Sequence, residues 1–126
     1  MGLNKNGPPA ENSFKAFVAK IDFNVPMGYL EFMKNSDGAE GFLNDSYLIL
    51  WSVEEIFDNN RDYQVEEFAP DFFIIGSNGG GETFAIEKQT GKLYMTPFIT
   101  MSREDAIYKA DNFEDFIKAL DRDDSN

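Results

Sequence analysis

The chain has no histidine and no cysteine, and its eleven Lys and Arg are outnumbered by twenty-three Asp and Glu. Each shortage excludes something. Histidine is the usual general base near neutral pH and the commonest metal ligand, and cysteine is the strongest side-chain nucleophile. Ser-His and Cys-His catalysis and His/Cys zinc sites are therefore excluded. A chain without cysteine forms no disulfide, which permits a reducing cytoplasm. No stretch approaches the roughly 18 apolar residues of a membrane span, and the opening Met1-Gly2-Leu3-Asn4-Lys5 lacks the apolar run of a signal peptide. A soluble, cytoplasmic protein without a cofactor is expected. Its formal charge of -12 repels nucleic acid and anionic membranes and favours a basic protein partner.

What is abundant is aromatic. Thirteen Phe, five Tyr and one Trp sit among 126 residues, and burying one Phe contributes about 1.5–3 kcal/mol, so a small domain can dispense with disulfides. The length is that of a single domain, 1–126, with an ordered core over about residues 12–120. Residues 1–9 and 121–126, rich in Gly, Asn and Pro or in charge, are expected to be loose tails.

Apolar spacing predicts the elements. Phe14, Phe17, Val18 and Ile21 form a helical stripe that Asn12 or Ser13 can cap. A second helix starts near Pro26 and carries Tyr29, Phe32 and Met33, with Gly28 inside it as a mark of close packing, until residues 35–38 break it. Residues 47–51 make a strand. Ser52 and Glu55 form a capping box that opens a helix with Val53, Ile56 and Phe57, which Asn59 and Asn60 should end. A meander follows: residues 72–77, a glycine turn at 78–81 with positive φ, residues 82–87 with one face buried, a turn at 89–91, and residues 92–98. Asp111 and Glu114 form a further box, opening a helix with Phe113, Phe116, Ile117 and Leu120 on one stripe. Helices flanking mostly antiparallel strands define an α+β fold.

In this order the residues resemble the SUKH superfamily, which groups fungal cell-wall-synthesis regulators with bacterial immunity proteins of polymorphic toxin systems. The resemblance runs from about Phe14 to Leu120. Val25 and Pro26 with Tyr29, Phe32 and Met33 match its hydrophobic-proline start and Phe-bearing helix. Trp51 and Glu55 resemble its strand-to-helix junction, Gly76 and residues 78–81 its glycine-rich hairpin, and Phe113 with Phe116 its closing helix. Ser36 and Asp37 before Gly38 depart from the usual Asn-Gly break. The resemblance implies a non-catalytic bacterial binding protein that neutralises a cognate toxin by occluding its active surface. A regulatory scaffold of the cell-wall type is the alternative.

Charge supplies the candidate contact residues. Residues 54–71 hold Glu54, Glu55, Asp58, Asp62, Glu66, Glu67 and Asp71 against Arg61 alone. A nuclease toxin, with the basic groove that nucleic acid demands, would be steered to such a surface at up to about 10⁸–10⁹ M⁻¹s⁻¹. The plain alternative is a solvated linker between a helix and the strand at Phe72. Trp51 and Gly79 mark a second possible contact face, Trp51 either lining a pocket or belonging to the core. Other chemistry fits poorly. From Asp58 an EF-hand would need Gly where Tyr63 stands and Glu where Ala69 stands. The run Gly79 to Gly81 leads into Glu82 and a strand rather than into Lys, Ser and a helix, which excludes a P-loop. A carboxylate-pair hydrolase is the remote alternative, since no spacing selects a pair among so many acids.

Overall fold

The computed structural model describes residues 3–121. Seven strands pair in chain order into one antiparallel sheet: β1 (Leu3–Lys5), β2 (Ala39–Leu43), β3 (Ser46–Leu50), β4 (Phe72–Ser77), β5 (Glu82–Glu87), β6 (Leu93–Pro97) and β7 (Ile107–Ala110). Helices α1 (Glu11–Lys20) and α2 (Met27–Asn35) lie between β1 and β2, and α3 (Ile56–Asp62) and α4 (Val65–Phe68) between β3 and β4. Helix α5 (Phe113–Asp121) follows β7. The fold is α+β, as expected.

Several local expectations change. The opening tail contains β1, held by Leu3 opposite Gly41 and Lys5 opposite Ala39. At the other end Asp121 still belongs to α5, and residues 122–126 lie outside the described residues. Neither Asn12 nor Ser13 caps α1. The helix starts earlier, at Glu11, after Ala10 with φ -60 and ψ 143 and no side-chain cap, and Ser13 donates instead to Glu54 at 2.9 Å. The cap of α5 moves by one residue: Asn112 Oδ1 accepts from the Asp115 amide at 2.8 Å, while Asp111 accepts from the Tyr108 hydroxyl. The Ser52 box is real, with Glu55 N–H donating to Ser52 Oγ at 3.3 Å and Ser52 N–H to the Glu55 carboxylate at 3.4 Å. Gly28 does sit in a close approach, its α-carbon lying against the Glu114 carboxylate of α5.

The larger corrections concern α3 and the sheet. Asn59 and Asn60 do not end the helix, which runs to Asp62. Strand β3 reaches β4 only at Ile49 opposite Ser77 and Leu50 opposite Gly76. Further along β4 the Asn60 carboxamide takes over: its oxygen accepts from the Ile74 N–H and its nitrogen donates to the Ile74 carbonyl, both at 2.9 Å. A side chain thereby stands in for a neighbouring strand and satisfies backbone groups that burial would otherwise orphan. Both faces of β5 are buried, not one. Phe84 and Ile86 join a core with Phe17, Tyr29, Leu48, Leu50, Phe113 and Phe116, whereas Ala85 faces Val65, Ala69, Phe72, Ile74 and Met101.

The first core is built on ring contacts. Tyr29 meets Phe113 at 5.4 Å and Phe84 meets Phe116 at 5.0 Å, both edge to face. Tyr29 is fully buried, and its hydroxyl has no hydrogen-bond partner among the described residues. Burial, with Asp37 nearby as a smaller cause, pushes its phenol well above the ordinary range. A buried hydroxyl without a partner costs about 1–3 kcal/mol. Tyr29→Phe should therefore keep or raise stability, by about 1 kcal/mol in urea unfolding; a clear loss would mean that the hydroxyl finds a partner.

The second core is closed by the segment after β6. Arg103 donates to Glu87 at 2.6 Å, lies 3.5 Å from Asp71, and stacks over Phe72 at 5.4 Å. A bond from the Thr90 hydroxyl at 2.6 Å, more than Arg103, holds the Glu87 carboxyl below its usual range. A depressed folded pKa means that this carboxylate stabilises fully above about pH 4.3, its unfolded value, and less as pH falls through the folded value. The stability gap between wild type and Glu87→Gln should accordingly be widest at neutral pH and close in acid. A gap independent of pH would contradict the assignment.

Candidate functional site

The acidic stretch is helical rather than a linker. On α3, Ile56 is buried and Phe57 packs against the first core, which turns Asp58, Arg61 and Asp62 outward. Asp58 pairs with Arg61 at 2.9 Å. Gln64 then adopts a left-handed conformation, φ 54, so the chain folds back into α4 with Val65 buried and Glu66 and Glu67 exposed.

Helices α1 and α3 enclose a groove. Ser13, Phe17 and Lys20 line one side and Val53, Glu54, Phe57 and Asp58 the other, around a hollow of about 250 Å³. Sharing Lys20 and Phe57, it meets a second hollow of about 390 Å³ with Phe72 and Phe73 behind it and Arg61, Glu66, Glu67 and Lys88 at its margin. The floor is thus phenylalanine and the rim is charged. Two cations of the rim are already engaged with rings: Lys20 lies 5.4 Å from the Phe57 centroid, and Lys88 lies 5.7 Å from that of Phe23 and 4.0 Å from the Asp22 carboxylate.

The structure brings together Glu54, Asp58, Glu66 and Glu67 around this groove and leaves the other candidates outside it. Glu55 is spent on the Ser52 box. Asp62 borders a separate hollow with Tyr63, Phe98 and Ile99. Trp51 is half-buried between the two cores, and Gly79 lies beside Tyr47 at the β4–β5 hairpin. Sequence reasoning missed Ser13, Lys20 and Lys88: the packing of α1 against α3 makes Ser13 and Lys20 neighbours of the acids, and Lys88 reaches the same margin from the turn after β5.

The glycine turn is also settled. The expected positive φ is found at Gly79, 79°, and not at Gly80 or Gly81. Its amides are used within the loop, Gly79 N–H by Ser77 Oγ at 3.1 Å and Gly80 N–H by Asn78 Oδ1 at 2.9 Å, which leaves them turned away from any phosphate. Among the described residues no group of three acids lies close enough to hold a metal ion, and no helix is long and apolar enough to cross a membrane.

A seven-stranded antiparallel sheet carrying its larger helices and aromatic core on one face, with an acid-rimmed groove between two of those elements, defines a class of small α+β domain whose distinctive surface is a cleft. The particular family follows from the sequence. Residues 8–119 match the model of the SMI1 / KNR4 family (SUKH-1), and the chain belongs to that family. No curated protein matches it.

Proposed function

We propose that this chain is a non-catalytic immunity protein that acts in the bacterial cytoplasm by binding a cationic protein toxin directly. The carrying observation is the α1–α3 groove, a phenylalanine floor with Glu54, Asp58, Glu66 and Glu67 around it, on a chain of net charge -12. Apolar floors supply affinity once water is expelled, and rim carboxylates attract and orient a basic partner. A toxin that holds nucleic acid in a basic groove offers the complementary surface. Family membership supports the reading, since the superfamily includes immunity proteins of toxin systems. The test is to mix the purified chain with toxin domains whose genes adjoin its own. A stable one-to-one complex and loss of toxin activity are expected; full activity with saturating protein would overturn the role.

A further inference from the structure

Strands β2 and β3 carry a second surface, on the sheet face away from the core that Leu48 and Leu50 share with α1, α2 and α5. Phe42 and Tyr47 are directly opposed across the two strands, and their rings meet edge to face at 4.8 Å. Phe42 is 56% exposed. The Tyr47 ring is backed by the hairpin, its edge 2.9 Å from where a β-carbon on Gly79 would stand, so the left-handed glycine makes room for it. Its hydroxyl donates to Glu40, two positions along β2 from Phe42, and holds that carboxylate beside the rings.

Along β2, β3 and the segments that flank them the charge has one sign, and the nearest base on a neighbouring strand, Lys5 of β1, is opposite Ala39 rather than Glu40 or Phe42. Residues 35–60 contain no Lys or Arg; Lys34 precedes them at the end of α2, and the first base after them, Arg61, is paired with Asp58 on α3. Glu40 on β2 and Asp45 in the β2–β3 turn are both exposed. Exposed aromatic faces attract cations, and a guanidinium can stack on a ring while its N–H groups bond a carboxylate. An acidic segment would be repelled here, and a purely apolar one would bury Glu40 without a counter-charge.

We propose that the open β2–β3 face is a docking surface for an arginine-bearing basic protein segment, with a guanidinium against Phe42 and Tyr47 and paired with Glu40. This surface is separate from the α1–α3 groove and does not depend on a toxin occupying that groove. The test is an NMR titration of the full chain with an eight-residue peptide alternating Arg with Gly and Ser, alongside its Lys and citrulline counterparts. Shifts should centre on residues 40–49 and Gly79, be stronger for Arg than for Lys, and be absent for citrulline. Phe42→Ala should weaken Arg-peptide binding roughly tenfold with the rest of the spectrum unchanged, whereas Glu66→Lys with Glu67→Lys should leave the β2–β3 shifts in place. Shifts centred on α3 and α4, an equal response to citrulline, or binding indifferent to Phe42→Ala would each overturn the proposal. Toxin binding that persists beside such a failure would leave the immunity reading intact.

Discussion

Gly38→Ala is expected to cost about 3 kcal/mol of stability, a large fraction of what a domain of this size commands. Gly38 has φ +90, and a β-carbon there would run into the Leu50 carbonyl and approach Ser52 N and Trp51 C, both at 3.2 Å. These are backbone atoms that rotamer changes do not move, so the left-handed strain and the clash add. The position is a junction. Asp37 N–H donates to the Gly7 carbonyl, Asp37 Oδ1 accepts from Val53 N–H at 2.8 Å, and Asn6 N–H donates to the Gly38 carbonyl at 3.1 Å. Asp37 thus joins the start of the chain, which its backbone N–H holds, to the approach to α3, which its carboxylate holds. Gly81→Ala is the control: nothing lies within 4 Å of its β-carbon position and its φ is not positive, so it should stay within about 0.5 kcal/mol of wild type. Equal urea midpoints for the two variants would show that the loop at Gly38 relaxes freely.

Reversing Asp58, Glu66 and Glu67 to Lys is expected to slow association with the proposed toxin partner about tenfold or more at low salt while changing dissociation little. All three side chains are exposed, and the Asp58–Arg61 pair is a surface pair of the kind that contributes little to folding, so the variant should remain folded. Salt should slow the wild type and shrink the difference, because steering is screened beyond a Debye length of about 8 Å at physiological ionic strength. Association indifferent to both salt and charge would make these acids ordinary surface.

Structure set by short-range pattern is legible in the sequence. Helical stripes, the Ser52 box and the β4–β5–β6 meander all follow from local spacing and turn chemistry. Strands β2 and β7 escape that pattern for a physical reason. Ala39-Glu40-Gly41-Phe42-Leu43 has little intrinsic strand preference and is extended because β1 and β3 pair on either side of it, and Ile107 and Tyr108 of β7 are half-exposed at an edge. Asn60 misled because a helix-breaking residue type was recruited to bond β4, a partner fourteen residues away. For the site, the acids could be found by counting charge. Their helical setting and the opposite wall of the groove could not, since Lys20 and Ser13 become neighbours of Asp58 and Glu54 only through tertiary packing.

Amide hydrogen exchange of the chain, free and saturated with a toxin that it neutralises, locates the binding surface. If the groove is the contact, protection is gained along the facing surfaces of α1 and α3 and through α4, where Ser13, Lys20, Glu54, Asp58, Glu66 and Glu67 surround it. A complex that forms with no change in those helices, and with protection confined to other segments, would contradict that contact.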